Sequence, residues 1–193
     1  MKLYFIRHGQ SEGNAIRMHC TRLQVKLTEQ GEADARMAGS LIRHIPFDKV
    51  YTSNLIRTVQ TCQIALPGAE YEQLELIQEI DIGSLLGRYV DDCYAQYGDI
   101  YEEHKRINDF ISYGGENDEM LCNRVREFLT MMENSGYEKV AVFGHEMYIR
   151  AVLSVVTGFF HDKSMAPCYN GSVNIFEFRN GKWQLDAWNV RPL

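Results

Sequence analysis

The sequence predicts an α/β fold on a mostly parallel sheet, and three observations carry that expectation. Short apolar runs alternate with amphipathic stretches at helical spacing along the 193 residues. Two of the runs, Leu3–Ile6 and Val140–Phe143, are continuously apolar, as strands buried on both faces should be. Each leads straight into a histidine, His8 after Arg7 and His145 after Gly144. In open α/β sheets, ligands bind at the carboxyl ends of the strands.

The elements follow in order. After the first strand, Leu27-Thr28 introduces a helix to about residue 44, with Thr28 as N-cap and Pro46 beyond its end. Ala38, Leu41, Ile42 and Ile45 form its apolar stripe. Lys49–Thr52 reads as a second strand, and Ser53 as the cap of a helix that stops before Pro67-Gly68. Glu70–Leu74 is a weak third strand. A helix over 117–133 carries Leu121, Val125, Phe128, Leu129 and Met132 at helical spacing, with Asp118 and Glu119 suited to its first turn. The Val140–Phe143 strand precedes a helix ending at Gly158. The tail predicts a hairpin, Val173–Phe178 and Trp183–Trp188, joined by Asn180-Gly181.

Composition narrows the class. Apolar residues at 45% and charged residues at 24% suit a water-soluble domain, and a net charge of −6 argues against a nucleic-acid partner. No apolar run reaches membrane-spanning length, and Lys2 precedes only four apolar residues before Arg7, which is no signal peptide. Cys20, Cys62, Cys93, Cys122 and Cys168 are scattered, with no Cys-x-x-Cys pair. A reduced, cytoplasmic protein is expected, with residues 1–193 as a single domain because no linker or repeat interrupts them. No acidic cluster has metal-ligand spacing, so neither a metal nor another cofactor is expected.

The chemistry is read from four places. His8, flanked by Arg7 and Gly9, is suited to attack phosphorus. Imidazole is nucleophilic near neutral pH, arginine neutralises phosphate oxygens, and glycine lets the backbone approach a ligand. Arg57 stands in the first turn of a helix that follows a strand. Glu79 precedes Gly83 and Gly87, and His145 repeats the strand-then-histidine arrangement. Each alone has a structural explanation, as a surface charge, a loop acid or a core histidine. Together they specify a phosphoryl-transfer site.

With these motifs the chain resembles the histidine phosphatase superfamily, also called phosphoglycerate mutase-like, over nearly its whole length. Arg7-His8-Gly9-x-Ser11 with Asn14, Leu27-Thr28-x-x-Gly31, Ser53-x-Leu55-x-Arg57-Thr58, Glu79 with its glycines, Gly115-Glu116 and Gly144-His145 match in order. The resemblance implies a three-layer α/β/α fold with a helical lid insertion at about 85–118. It also implies a mechanism. His8 becomes a phosphohistidine, while Arg7, Arg57 and His145 hold the phosphate oxygens, and Gln10, Ser11 and Asn14 complete the cradle. Glu79 protonates the leaving oxygen and then activates water. The expected activity is that of a histidine acid-type phosphatase, a phosphoric monoester hydrolase, acting on a small phosphorylated metabolite.

Two alternatives stand beside it: a cofactor-dependent phosphoglycerate mutase and an inactive phosphate-binding scaffold. Against the mutase, His145 follows Glu79 by only 66 positions, which resembles the short phosphatase branch. Cys20-Thr21-Arg22-Leu23 also replaces the glycine-aromatic stretch that mutases use. Against the scaffold, every reacting residue is present. Glu146, which follows His145 where the family carries a small residue, is expected at the substrate pocket. The lid holds Asp91, Asp92, Asp99, Glu102, Glu103, Asp109, Glu116 and Asp118 against Lys105 and Arg106, a local charge of −6. Such a lid is expected to repel polyanions and to favour monophosphates with neutral, cationic or aromatic leaving groups. Tyr94, Tyr97 and Tyr101 fit core packing of a lid helix better than stacking on a ligand.

Overall fold

A computed structural model describes residues 1–160 and 165–192. Strands β1 (Lys2–Arg7), β2 (Lys49–Thr52), β3 (Glu72–Gln73), β4 (Lys139–Gly144), β5 (Val173–Arg179) and β6 (Lys182–Val190) form one sheet in the order β3-β2-β4-β1-β5-β6. The first four in that order run parallel, and β5 and β6 close the edge antiparallel. Helices are α1 (Glu12–Ala15), α2 (Glu29–Ile42), α3 (Ile56–Ala65), α4 (Val90–Ile107), α5 (Asp118–Glu133) and α6 (Glu146–Thr157).

The period-2 alternation of strand side chains sorts the core into two layers. Leu3 and Phe5 of β1 and Val140 and Val142 of β4 pack with Phe128 of α5 and Ile149 of α6. Ile6, Ala141 and Phe143 point the other way, to Ala38 and Ile42 of α2 and Cys62 and Ala65 of α3. The expected α/β/α sandwich follows from that division. The hairpin forms as predicted, with Asn180 at φ 52° and Gly181 at φ 73°, the left-handed pair that a two-residue turn needs.

Three boundaries differ from expectation. Helix α2 ends at Ile42, where the chain leaves through a tighter turn in which the Ile45 N–H donates to the Ile42 carbonyl (2.9 Å). Ser53 does not cap α3: Leu55 is the N-cap, and the Thr58 hydroxyl ties the turn by donating to the carbonyls of Ser53 (2.9 Å) and Leu55 (2.7 Å). The third strand shrinks to two exposed residues.

The loop after β1 is braced by the start of α2. The Thr28 hydroxyl accepts the Gly31 N–H (3.1 Å) and donates to the Gln10 side-chain carbonyl (2.9 Å). A Cβ at Gly31 would stand 2.0 Å from the Gln10 carbonyl oxygen. Gly31→Ala should therefore lose about 2–3 kcal/mol of stability, although alanine favours helix by ~1 kcal/mol. Urea unfolding measures this, and a variant as stable as wild type would show that the loop yields freely.

Candidate active site

The sheet register builds the site. Arg7 of β1 lies opposite Gly144 of β4, so the residues that follow them meet at one edge. The rings of His8 and His145 stand 5.3 Å apart, centroid to centroid. Both histidines are buried. The Gly9 carbonyl lies 2.7 Å from His8 Nδ1, so Nδ1 carries the proton and Nε2 presents a lone pair. Arg57 Nε donates to that lone pair at 3.2 Å. The same guanidinium reaches His145 Nδ1 at 3.2 Å, which leaves the His145 proton on Nε2, buried and without a hydrogen-bond partner among the described residues. Burial first, and the positive charge of Arg57 second, hold both histidines well below the ordinary imidazole pKa. The lowered pKa favours the neutral form of each, one ring presenting a lone pair and the other an N–H.

Arg57 is itself buried, and two backbone carbonyls orient it: Leu23 to Nη1 (3.1 Å) and Thr21 to Nη2 (3.0 Å). The 20–23 segment thus holds Arg57 through its main chain, while the Arg22 side chain pairs with Glu116 (3.4 Å). Arg7 Nη1 donates to the Cys168 carbonyl, and Nη2 pairs with Glu146 at 2.9 Å.

Glu79 faces the start of α6. Its carboxylate accepts the N–H groups of Met147 (3.1 Å) and Tyr148 (3.2 Å), together with that of Ile80 (3.2 Å). Burial lifts its pKa above the usual carboxylate value, and the Met147 N–H bond opposes the shift. The loop that carries Glu79 is propped by Arg124, which donates to the carbonyls of Leu76 (2.8 Å), Gln78 (3.0 Å) and Glu79 (3.4 Å) while pairing with Glu116 (2.9 Å). Gly83 turns this loop at φ 56°, so close to Tyr113 that a Cβ would lie 1.9 Å from its carbonyl oxygen.

A cavity of about 1120 Å³ joins Arg7, His8, Asn14, Arg57, Glu79 and Glu146. His145 sits immediately behind it, bonded to Arg57. Gln10 and Ser11, expected in the phosphate cradle, do not line the cavity. Gln10 is drawn away by its bond to Thr28, and Ser11 forms a reciprocal capping box with Asn14 at the start of α1. Among the described residues, no group of three His, Cys, Asp or Glu side chains is placed to hold a metal ion.

The acidic lid expectation also fails, for a local reason. Of the eight acids, only Glu102 lines the cavity, beside Lys105 and Arg106. Asp91 pairs with Arg17 (2.9 Å), Glu103 with Arg106 (2.6 Å) and Glu116 with Arg124, while Asp92 and Asp99 face solvent. Asp109 and Asp118 are engaged by the Ile111 N–H (3.1 Å) and the Asn108 amide (3.0 Å). The interior therefore sees more cationic than anionic groups. The tyrosine stripe packs inward, as expected: Tyr101 is fully buried, and its hydroxyl shares a hydrogen bond with His19 Nε2 at 2.6 Å.

Asn170 and Arg150 are among the cavity residues that the sequence reading did not single out. Arg150 carried a signal, being a charge four residues after Glu146 in an otherwise apolar helix. At 5% exposed it is buried with Nε and Nη1 lacking hydrogen-bond partners among the described residues.

Comparison with known proteins agrees with this geometry. The model of the histidine phosphatase superfamily (branch 1) matches residues 3–191. A 2,3-bisphosphoglycerate-dependent phosphoglycerate mutase of Methylorubrum extorquens is 34% identical over 81% of this chain and 79% of its own. One of Rhizobium etli is 36% identical over 66% of this chain, which spans 65% of that relative. The α-ribazole phosphatase of Shigella flexneri superposes with a TM-score of 0.84 at 21% identity, covering 98% of this chain and 96% of that one. No helix among the described residues is long and apolar enough to cross a membrane.

Proposed function

The chain belongs to the histidine phosphatase superfamily, and from that premise we propose that it hydrolyses a small phosphate monoester through a phosphohistidine. The carrying observation is the pairing of an unprotonated His8 Nε2 with a neutral His145 Nε2–H, both tied to one guanidinium. Arg57 and Arg7 take the equatorial oxygens, and the His145 proton completes their support. Charge stabilisation and positioning of this kind are the main requirements of phosphoryl transfer. Glu79 protonates the leaving oxygen as the His8–phosphorus bond forms. It then removes a proton from the water that attacks phosphorus and frees His8. The finer label, a histidine acid-type phosphatase, rests on the raised pKa of Glu79, which favours the proton-loaded carboxyl. Asn14 alone of the Gln10–Ser11–Asn14 set is retained as a substrate contact. The five cysteines are free and buried, which suits a cytoplasmic setting.

Hydrolysis is favoured over mutase transfer by room for water: a cavity of about 1120 Å³ exceeds the usual size for a small ligand. The mutase reading has one observation of its own, because Lys105 and Arg106 offer cations beyond the phosphate cradle, as a second anionic group would require. Phosphate release from p-nitrophenyl phosphate and a panel of alkyl monophosphates is expected. Isomerisation of 3-phosphoglycerate with bisphosphate primer, faster than any phosphate release, would reverse the assignment.

A further inference from the structure

Glu146 places a carboxylate on the guanidinium that the phosphate needs. Its Oε2 lies 2.9 Å from Arg7 Nη2, and both side chains are largely buried, so the attraction is screened little by solvent. A carboxylate and a phosphate dianion compete for the same donors and repel each other when adjacent. Arg7 does not need Glu146 for support alone, since the Cys168 carbonyl already holds its Nη1. On the other side of Glu146, one helical turn away, stands Arg150, with Nη2 at 3.8 Å from Oε1. Arg150 is buried, lines the same cavity and keeps Nε and Nη1 without hydrogen-bond partners among the described residues. Buried donors left in that state are costly and call for an occupant.

We infer that Glu146 is a movable counter-ion that competes with phosphate for Arg7, and that Arg150 is the partner it moves to when phosphate binds. The proposal rests on reading Arg7 as a phosphate ligand. Before phosphate binds, the carboxylate pairs with Arg7. As phosphate enters, the carboxylate swings to the unpaired donors of Arg150. As product phosphate leaves, it returns and takes its place. Glu146 thereby weakens retention of the product, and Arg150 is a positioning residue that acts through Glu146 without touching substrate.

The test is the affinity for inorganic phosphate, measured by isothermal titration calorimetry at neutral pH on the intact protein. Glu146→Gln is expected to tighten phosphate binding about tenfold, and Arg150→Gln to weaken it about fivefold. In the double variant the Arg150 effect should vanish, because its only route is through the carboxylate. Weaker or unchanged binding in Glu146→Gln overturns the proposal, as it would mark Glu146 as a support of Arg7. A loss from Arg150→Gln that persists in the double variant overturns the role of Arg150. If Glu146→Gln does not fold, Glu146→Asp, one methylene shorter, should show the same tightening, and its absence is equally decisive. Turnover separates this from the broader reading: wild-type protein that binds phosphate but hydrolyses no monoester refutes the phosphatase and leaves the calorimetric comparison intact. Wild-type protein that binds no phosphate overturns both.

Discussion

His8→Ala should abolish turnover, lowering phosphate release from p-nitrophenyl phosphate by about 10⁴-fold or more, as loss of a covalent nucleophile does. The remaining cradle explains why the loss should be chemical rather than structural. Arg57 keeps its bonds to Thr21, Leu23 and His145, and Arg7 keeps the Cys168 carbonyl. Inorganic phosphate should therefore still bind to the variant within a few-fold of wild type. Incubation of wild-type protein with substrate, followed by rapid quenching in base, should trap a phosphoryl group that is stable in alkali and released by acid, as phosphohistidine is. The variant should trap none. Turnover near wild type in His8→Ala would transfer the nucleophile to another residue.

Glu79→Gln carries the second large effect, and its size should depend on the leaving group. Alkyl monophosphates leave as strongly basic alkoxides, so losing the proton donor should cost about 10²–10⁴ in rate. Nitrophenolate leaves without help, so the first step with p-nitrophenyl phosphate should survive while the second, which needs the carboxylate as base, stalls. A burst of nitrophenolate equal to the enzyme present, then slow turnover, is the expected trace. The pH dependence has a definite sign. Glu79 donates when protonated, and its pKa is raised, so the alkyl ester rate in wild type should fall as pH rises through that pKa. The His8 pKa is depressed, so its protonation limits the rate only below the ordinary imidazole range. Glu79→Gln should lose the Glu79 limb. An unchanged profile, or a first step with p-nitrophenyl phosphate slowed as much as that with alkyl esters so that no burst appears, would remove Glu79 from the proton path.

The parallel core and the strand-end histidines are legible in the sequence because a doubly buried strand must be apolar throughout, and any polar residue that ends it stands out. The register of β1 on β4, which turns two separated histidines into one site, is not local information. Neither is the hold of the Thr21 and Leu23 carbonyls on Arg57, since a backbone acceptor is common to every residue type. Gln10 and Ser11 show the reverse difficulty, because amide and hydroxyl side chains suit ligands and helix caps alike. The acidic stretch misleads for a similar reason. A charge count along the chain ignores which side of α4 each carboxylate occupies, and Arg17, Arg106 and Arg124 pair with three of the eight acids. Arg150 had a local signal, a charge four residues after Glu146, but its burial is visible only once its helix is docked.

With no phosphate in place, the Arg57 N–H covers the one nitrogen lone pair that a stray electrophile in the cell would attack. An imidazole so covered, and of depressed basicity, is expected to react slowly with acylating and alkylating reagents. Only an anion able to draw the guanidinium onto its own oxygens uncovers the ring. On the proposed mechanism, the substrate's own charge thus exposes the His8 lone pair, and the same hydrogen bond shields the ring until an anion binds.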